Sequence, residues 1–124
     1  MKTSAGIAIA GAAGALSRYA VEGIVSRRMS GAFPWGTMVV NLSGAFLVGF
    51  LFTVLAERFL VAPWLRSTLL IGFLGAYTTF STLSLETLRL AQDGARLLAL
   101  ANGAGTLVAG LIAVYAGVVL GRAI

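Results

Sequence analysis

Apolar residues run along this chain in four long blocks, at positions 3–26, 34–56, 63–90 and 95–120, broken only by isolated polar side chains. Polar and charged residues gather between the blocks: Arg27 and Arg28 after the first, Glu57 and Arg58 after the second, Gln92, Asp93 and Gly94 after the third. Arg122 follows the fourth. A helix needs about 20 apolar residues to cross a bilayer core, whereas a barrel strand needs only about 10. Each block therefore predicts a membrane-spanning helix. Pro34 and Pro63 stand where the second and third helices open, and proline suits a first turn because its missing N–H would have no partner there. The pattern predicts an all-α integral membrane protein, one four-helix domain over 1–124.

Composition sharpens this picture. The chain is 59% hydrophobic and 10% charged, against about 25% charged in a soluble domain. Lipid is the solvent such a surface fits. The absence of cysteine and histidine removes disulfides, thiolate chemistry and the usual transition-metal ligands. A net charge of +5 would suggest nucleic acid in a soluble protein. Here the basic residues stand at helix ends beside anionic headgroups, so the bilayer, and no nucleic acid, is the expected partner. Lys2 before an apolar run with small residues at 8–10 could mimic a signal peptide. Three more apolar segments follow, so a first transmembrane helix and a multi-pass protein of the plasma (inner) membrane are expected.

Four spans place both ends of the chain on one side. That side carries Lys2, Arg58, Arg66 and Arg122; the other carries Arg27, Arg28, Arg89 and Arg96. Orientation follows an excess of Lys and Arg in cytoplasmic loops, and here the two sides balance. Balanced loops predict insertion in both directions and head-to-tail pairing of copies.

Inside the spans, small residues four apart (Gly6, Ala10, Gly14; Ala113, Gly117, Gly121) let helix backbones approach closely in lipid. The third block departs from a plain helix. Its centre holds Gly72 and Gly75, then Thr78, Thr79, Ser81, Thr82 and Ser84, residues that weaken a helix. Irregular backbone at that depth survives only when buried in protein or lining a polar cavity. A continuous helix with its hydroxyls bonded to the preceding turn is the alternative.

Candidate chemistry is uncharged. Thr37 and Asn41 share a face of the second helix, and Asn102 and Thr106 a face of the fourth. Donors without acids suit a small anion, and interhelical hydrogen bonding is the competing use. Arg18 is the one basic residue within a span, placed to snorkel, pair with an acid, cap broken backbone or raise the potential of an anion vestibule. Glu22 and Glu86 lie near helix ends. No nucleophile with a base, carboxylate pair or phosphate-cradling loop is present, so no enzymatic activity is expected.

Three stretches carry a resemblance. They are Gly11-Ala12-Ala13-Gly14-Ala15-Leu16-Ser17-Arg18-Tyr19, Pro34-Trp35-Gly36-Thr37 continuing to Asn41 and Gly44, and Gly72-Phe73-Leu74-Gly75-Ala76-Tyr77-Thr78-Thr79-Phe80-Ser81-Thr82 followed by Glu86. In this order and spacing the chain resembles the Fluc (CrcB) family of fluoride channels. The resemblance implies a dual-topology homodimer of antiparallel copies, with two passive fluoride pores and third helices broken at the midplane. It further implies a structural sodium ion held by the carbonyls of Gly75 and Thr78. It assigns Asn41 and Phe80 to the pore, with Thr37, Ser81, Thr82 and Thr106 beside it, and gives Arg18 a structural or electrostatic role. Leu83 departs from the pattern, standing where a second pore phenylalanine is usual, and the polar positions of helix four stop at Gly110. The runner-up is a small multidrug-type exporter of guanidinium or other cations. It would need an ionisable group deep in the membrane, and Glu22 lies too near a helix end.

Overall fold

A computed structural model describes residues 1–124, all of them helical or in short connections. Helix α1 (Lys2–Arg28) leads through a short turn to α2 (Trp35–Arg58). The third block forms two helices, α3 (residues 63–77) and α4 (Phe80–Gln92), and α5 (Arg96–Ala123) completes the chain. The expected boundaries move slightly. Pro34 precedes α2 rather than opening it. Glu57 and Arg58, expected in a loop, lie in a π-helical turn, Thr53–Arg58. Glu57 holds that turn by a two-pronged pair with Arg122, at 3.1 and 3.3 Å, joining the end of α2 to the end of α5. Gly94, at φ 82°, reverses the chain between α4 and α5.

Three stretches are long and apolar enough to cross a membrane: Trp35–Arg58, Pro63–Gln92 and Arg96–Ala123. Helix α1 has comparable length at 27 residues, but its glycines, alanines and serines, with Arg18 and Glu22, make it less apolar. Only 16 of 124 residues are buried. Large side chains such as Leu16, Tyr19, Phe80, Leu107, Leu111 and Tyr115 stand exposed, an apolar surface that fits lipid or another protein rather than water.

The small-residue positions mark two tight helix pairs. In the first, α1 lies on α3: a Cβ on Gly14 would overlap the Phe73 carbonyl oxygen, and one on Gly72 would come within 2.9 Å of the Ile7 backbone. In the second, α2 lies on α5, where Gly49 meets the Val114 carbonyl and Gly117 the Phe46 carbonyl. Gly36 joins the pairs, since a Cβ there would stand only 3.1–3.2 Å from the Glu22 backbone. Val40, Leu74 and Tyr77 form the small core between α2 and α3. The discontinuity between α3 and α4 therefore faces α1 and α2.

Candidate functional site

The third block is broken at its centre. Thr78 (φ −83°, ψ 158°) and Thr79 (φ −147°, ψ 115°) are extended between α3 and α4. Two β-branched residues in sequence favour that conformation over helix. The Thr79 hydroxyl then caps α4, accepting from the Thr82 N–H at 3.3 Å and donating to the Thr82 hydroxyl at 3.0 Å. The Thr78 hydroxyl donates back to the Leu74 carbonyl at 3.0 Å.

Neighbouring helices satisfy part of the exposed backbone. The Asn41 carboxamide binds Thr79 twice: Oδ1 accepts from the Thr79 N–H at 2.8 Å, and Nδ2 donates to the Thr79 carbonyl at 3.1 Å. From α1, Arg18 Nε donates to the Ala76 carbonyl at 3.3 Å, while Nη1 lies 3.9 Å from Glu22. Of the roles open to Arg18, the geometry holds two, the capping of broken backbone and the pairing with an acid. The Ser43 and Tyr77 hydroxyls meet at 2.8 Å. In a continuous helix the Thr79 and Thr82 amides would donate to the carbonyls four residues earlier, those of Gly75 and Thr78. They are diverted to Asn41 Oδ1 and Thr79 Oγ1, so these two carbonyls lose their helical donors. Carbonyl oxygens without amide partners are the ligand type that suits a hard cation.

A groove of about 530 Å³ opens beside the break, between α2, α4 and α5. Asn41, Phe80 and Thr106 stand on its wall with Leu83, Ser84 and Thr87, and no acid or base lines it. Phe80 is 82% exposed. The Thr106 hydroxyl is buried and has no hydrogen-bond partner. A second cavity, of about 370 Å³, touches Gly75 and Thr78 and is also walled by Asn41. Asn41, Ala45, Thr78 and Val114 line both cavities.

The remaining candidates lie elsewhere. Thr37, 3% exposed, donates to Glu86 Oε1 at 2.8 Å and does not reach the groove. Ser81 and Thr82 occupy the first turn of α4, around the Thr79 hydroxyl. Sequence reasoning gave Thr87 no individual role. Thr87 donates to the Leu83 carbonyl at 2.7 Å and accepts from the fully buried Asn102 at 3.0 Å, tying α4 to α5. The four-residue spacing of Leu83 and Thr87 was the available signal for the first of these bonds.

Comparison with known proteins returns one consistent result. The family described as CrcB-like protein, Camphor Resistance (CrcB), matches residues 5–118. A protein named fluoride-specific ion channel FluC from Magnetococcus marinus is 46% identical over 118 residues, covering 95% of this chain and 96% of the relative. One of the same name from Geotalea uraniireducens is 44% identical over the full length of both chains. Another, from Methylococcus capsulatus, is 48% identical over 116 residues, spanning 94% of this chain and 51% of that longer relative.

Proposed function

The chain belongs to the CrcB family, and from that premise we propose that it is a fluoride-selective ion channel, giving passive export of fluoride from the cytoplasm across the plasma (inner) membrane. The observation that carries this reading is the groove, walled by Asn41, Phe80 and Thr106 and free of charged side chains. Fluoride must exchange its water for other donors to enter a membrane, and an acid in the path would repel it. One Asn41 N–H is committed to Thr79; the amide has a second to offer. The edge of the Phe80 ring is electropositive, and the Thr106 hydroxyl has a proton to give. Thr37, Ser81 and Thr82 stand behind this wall and support it, Thr37 through its bond to Glu86 and the other two around the Thr79 hydroxyl. The channel is not an enzyme: it breaks no bond and its driving force is the gradient.

The groove is open on one side and Phe80 stands exposed beside it, so a second copy completes the wall in our reading. The loop charges, balanced at Lys2, Arg58, Arg66 and Arg122 against Arg27, Arg28, Arg89 and Arg96, support an antiparallel homodimer with α1 as a fourth crossing. In that arrangement two broken helices meet at the midplane, each presenting the Gly75 and Thr78 carbonyls. The donor set fits sodium, which would neutralise carbonyl dipoles that no bulk water reaches.

Purified protein in liposomes loaded with fluoride, chloride or guanidinium tests the function. Fluoride efflux without chloride or guanidinium movement is expected. Guanidinium exchange coupled to protons, without fluoride flux, would assign the chain to the small multidrug-type exporters instead.

A further inference from the structure

Asn41, on α2, lines the groove and also bonds the broken backbone of the third block. Its carboxamide faces Thr79 with both ends, at 2.8 and 3.1 Å. The first of these bonds decides the state of the third helix. The Thr79 N–H is the donor that would close the turn onto the Gly75 carbonyl, and Asn41 Oδ1 takes it away. The second bond satisfies the Thr79 carbonyl, which would otherwise begin α4 with a single acceptor bond at a depth without water. We infer that Asn41 is a positioning residue: it latches the third helix open and thereby frees the Gly75 carbonyl, while the Thr79 hydroxyl frees that of Thr78.

The other contacts at the break do not do this. Arg18 holds the Ala76 carbonyl from the α1 side but captures no amide of the break. The Thr78 hydroxyl returns to Leu74, a bond that a continuous helix also permits. The Thr79 hydroxyl engages the Thr82 amide and stabilises the start of α4, yet it leaves the Thr79 amide itself free to turn back. Only the Asn41 acceptor competes directly for that amide. Substitution at Asn41 would therefore alter two things at once, the donor it offers to the groove and the Gly75 carbonyl that the break leaves free. The inference concerning the cation rests on the reading of Gly75 and Thr78 given above; the inference concerning the helix does not.

Two substitutions separate these roles. Asn41→Leu keeps the volume and removes both bonds. Asn41→Asp keeps an acceptor for the Thr79 amide, loses the donor to the Thr79 carbonyl and places a carboxylate beside the groove. The first readout is the backbone at Thr78 and Thr79, from a crystal structure or from amide and carbonyl chemical shifts. The second is binding of sodium, or of thallous ion by its anomalous scattering, measured without reference to flux. Asn41→Leu is expected to move Thr78 and Thr79 toward helical angles and to weaken cation binding by about tenfold or more, from two hydrogen bonds of ordinary strength. Asn41→Asp is expected to retain the extended break and the cation while losing fluoride flux. Thr37→Val, one turn earlier on the same helix and bonded to Glu86 rather than to the break, should leave both readouts at the wild-type value. An Asn41→Leu protein with Thr78 and Thr79 still extended overturns the latch, whatever its cation affinity. Where Asn41→Leu does not assemble, a helical break in Asn41→Asp overturns it equally. A wild-type protein that binds neither cation, with Asn41→Leu closing the break, sustains the latch and removes the cation reading.

Discussion

Replacing Gly14 by alanine tests whether close helix packing supports the broken segment. The added Cβ would overlap the Phe73 carbonyl oxygen and stand 3.0 Å from its carbon and 3.1 Å from the Phe73 Cα. Carbon atoms pack at about 3.5–4.0 Å, so α1 and α3 must separate by several tenths of an ångström or more. The obstacle is backbone, which cannot rotate aside. Overpacking of this kind costs about 1–3 kcal/mol. Separation also acts one turn later, where Arg18 Nε reaches the Ala76 carbonyl at 3.3 Å, already near the limit for a hydrogen bond. Losing that bond adds about 1 kcal/mol and leaves a carbonyl of the break uncapped. Gly11→Ala is the matched control, since its Cβ would meet only the Gly72 carbonyl oxygen at 3.6 Å, an ordinary contact. Thermal denaturation in detergent, followed by size exclusion, should show Gly14→Ala destabilised and Gly11→Ala near wild type. Fluoride efflux from liposomes should fall for the first variant alone. Equal behaviour of the two variants in both assays would refute the packing argument and with it the structural role given to Arg18.

Asn41→Asp should reduce fluoride flux by more than tenfold, because two charges about 4 Å apart repel by about 4 kcal/mol at an effective dielectric near 20; unchanged flux would remove Asn41 from the ion path. Thr106→Val removes a hydroxyl that has no bond to lose, so it should leave thermal stability within about 0.5 kcal/mol while lowering flux; a stability loss with normal flux would make Thr106 a packing residue. Adding three lysines near Arg122 should bias insertion toward one orientation. Accessibility of a C-terminal tag from each side of the membrane reads this directly, and a wild-type tag found on a single side would exclude dual topology.

Much of this architecture was legible because lipid leaves the sequence few choices. Apolar blocks bounded by charge give helices and their order, and Gly72, Gly75 and the Thr78–Thr79 pair mark where the third must fail. What the sequence hid was the destination of each polar group. Thr37 and Asn41 share a face of α2, and nothing in their spacing says that one meets Glu86 and the other Thr79. That depends on how α2 packs against its neighbours, close to α1 at Gly36, which faces Glu22, and close to the break at Gly44, which faces Thr78. Glu57 was hidden similarly: a charge after an apolar block reads as loop, whereas the helix winds through it and it pairs with Arg122 on α5.

The polar groups within the spans divide into those spent on the protein and those left over, and this division bears on selectivity. Arg18 is committed to Ala76, Thr78 to Leu74, Thr79 to α4, and Thr87 to Leu83. Buried in hydrocarbon, such groups are costly without partners, so a helix bundle tends to consume its donors. Three features beside the groove escape that fate: the second N–H of Asn41, the buried hydroxyl of Thr106, and the exposed ring of Phe80. All three present positive character, and none carries a full charge. A site of this kind offers an anion replacement for its water while binding it too weakly to trap it, which conduction requires. Leu83, on the same wall, contributes no ring edge. On the proposed function, passage would lean more heavily on Asn41 and Thr106 than on aromatic contact. Leu83→Phe would add a ring edge beside the groove and should make flux less sensitive to the loss of the Thr106 hydroxyl. Equal sensitivity to Thr106→Val with leucine or phenylalanine at position 83 would separate the hydroxyl from the anion's path.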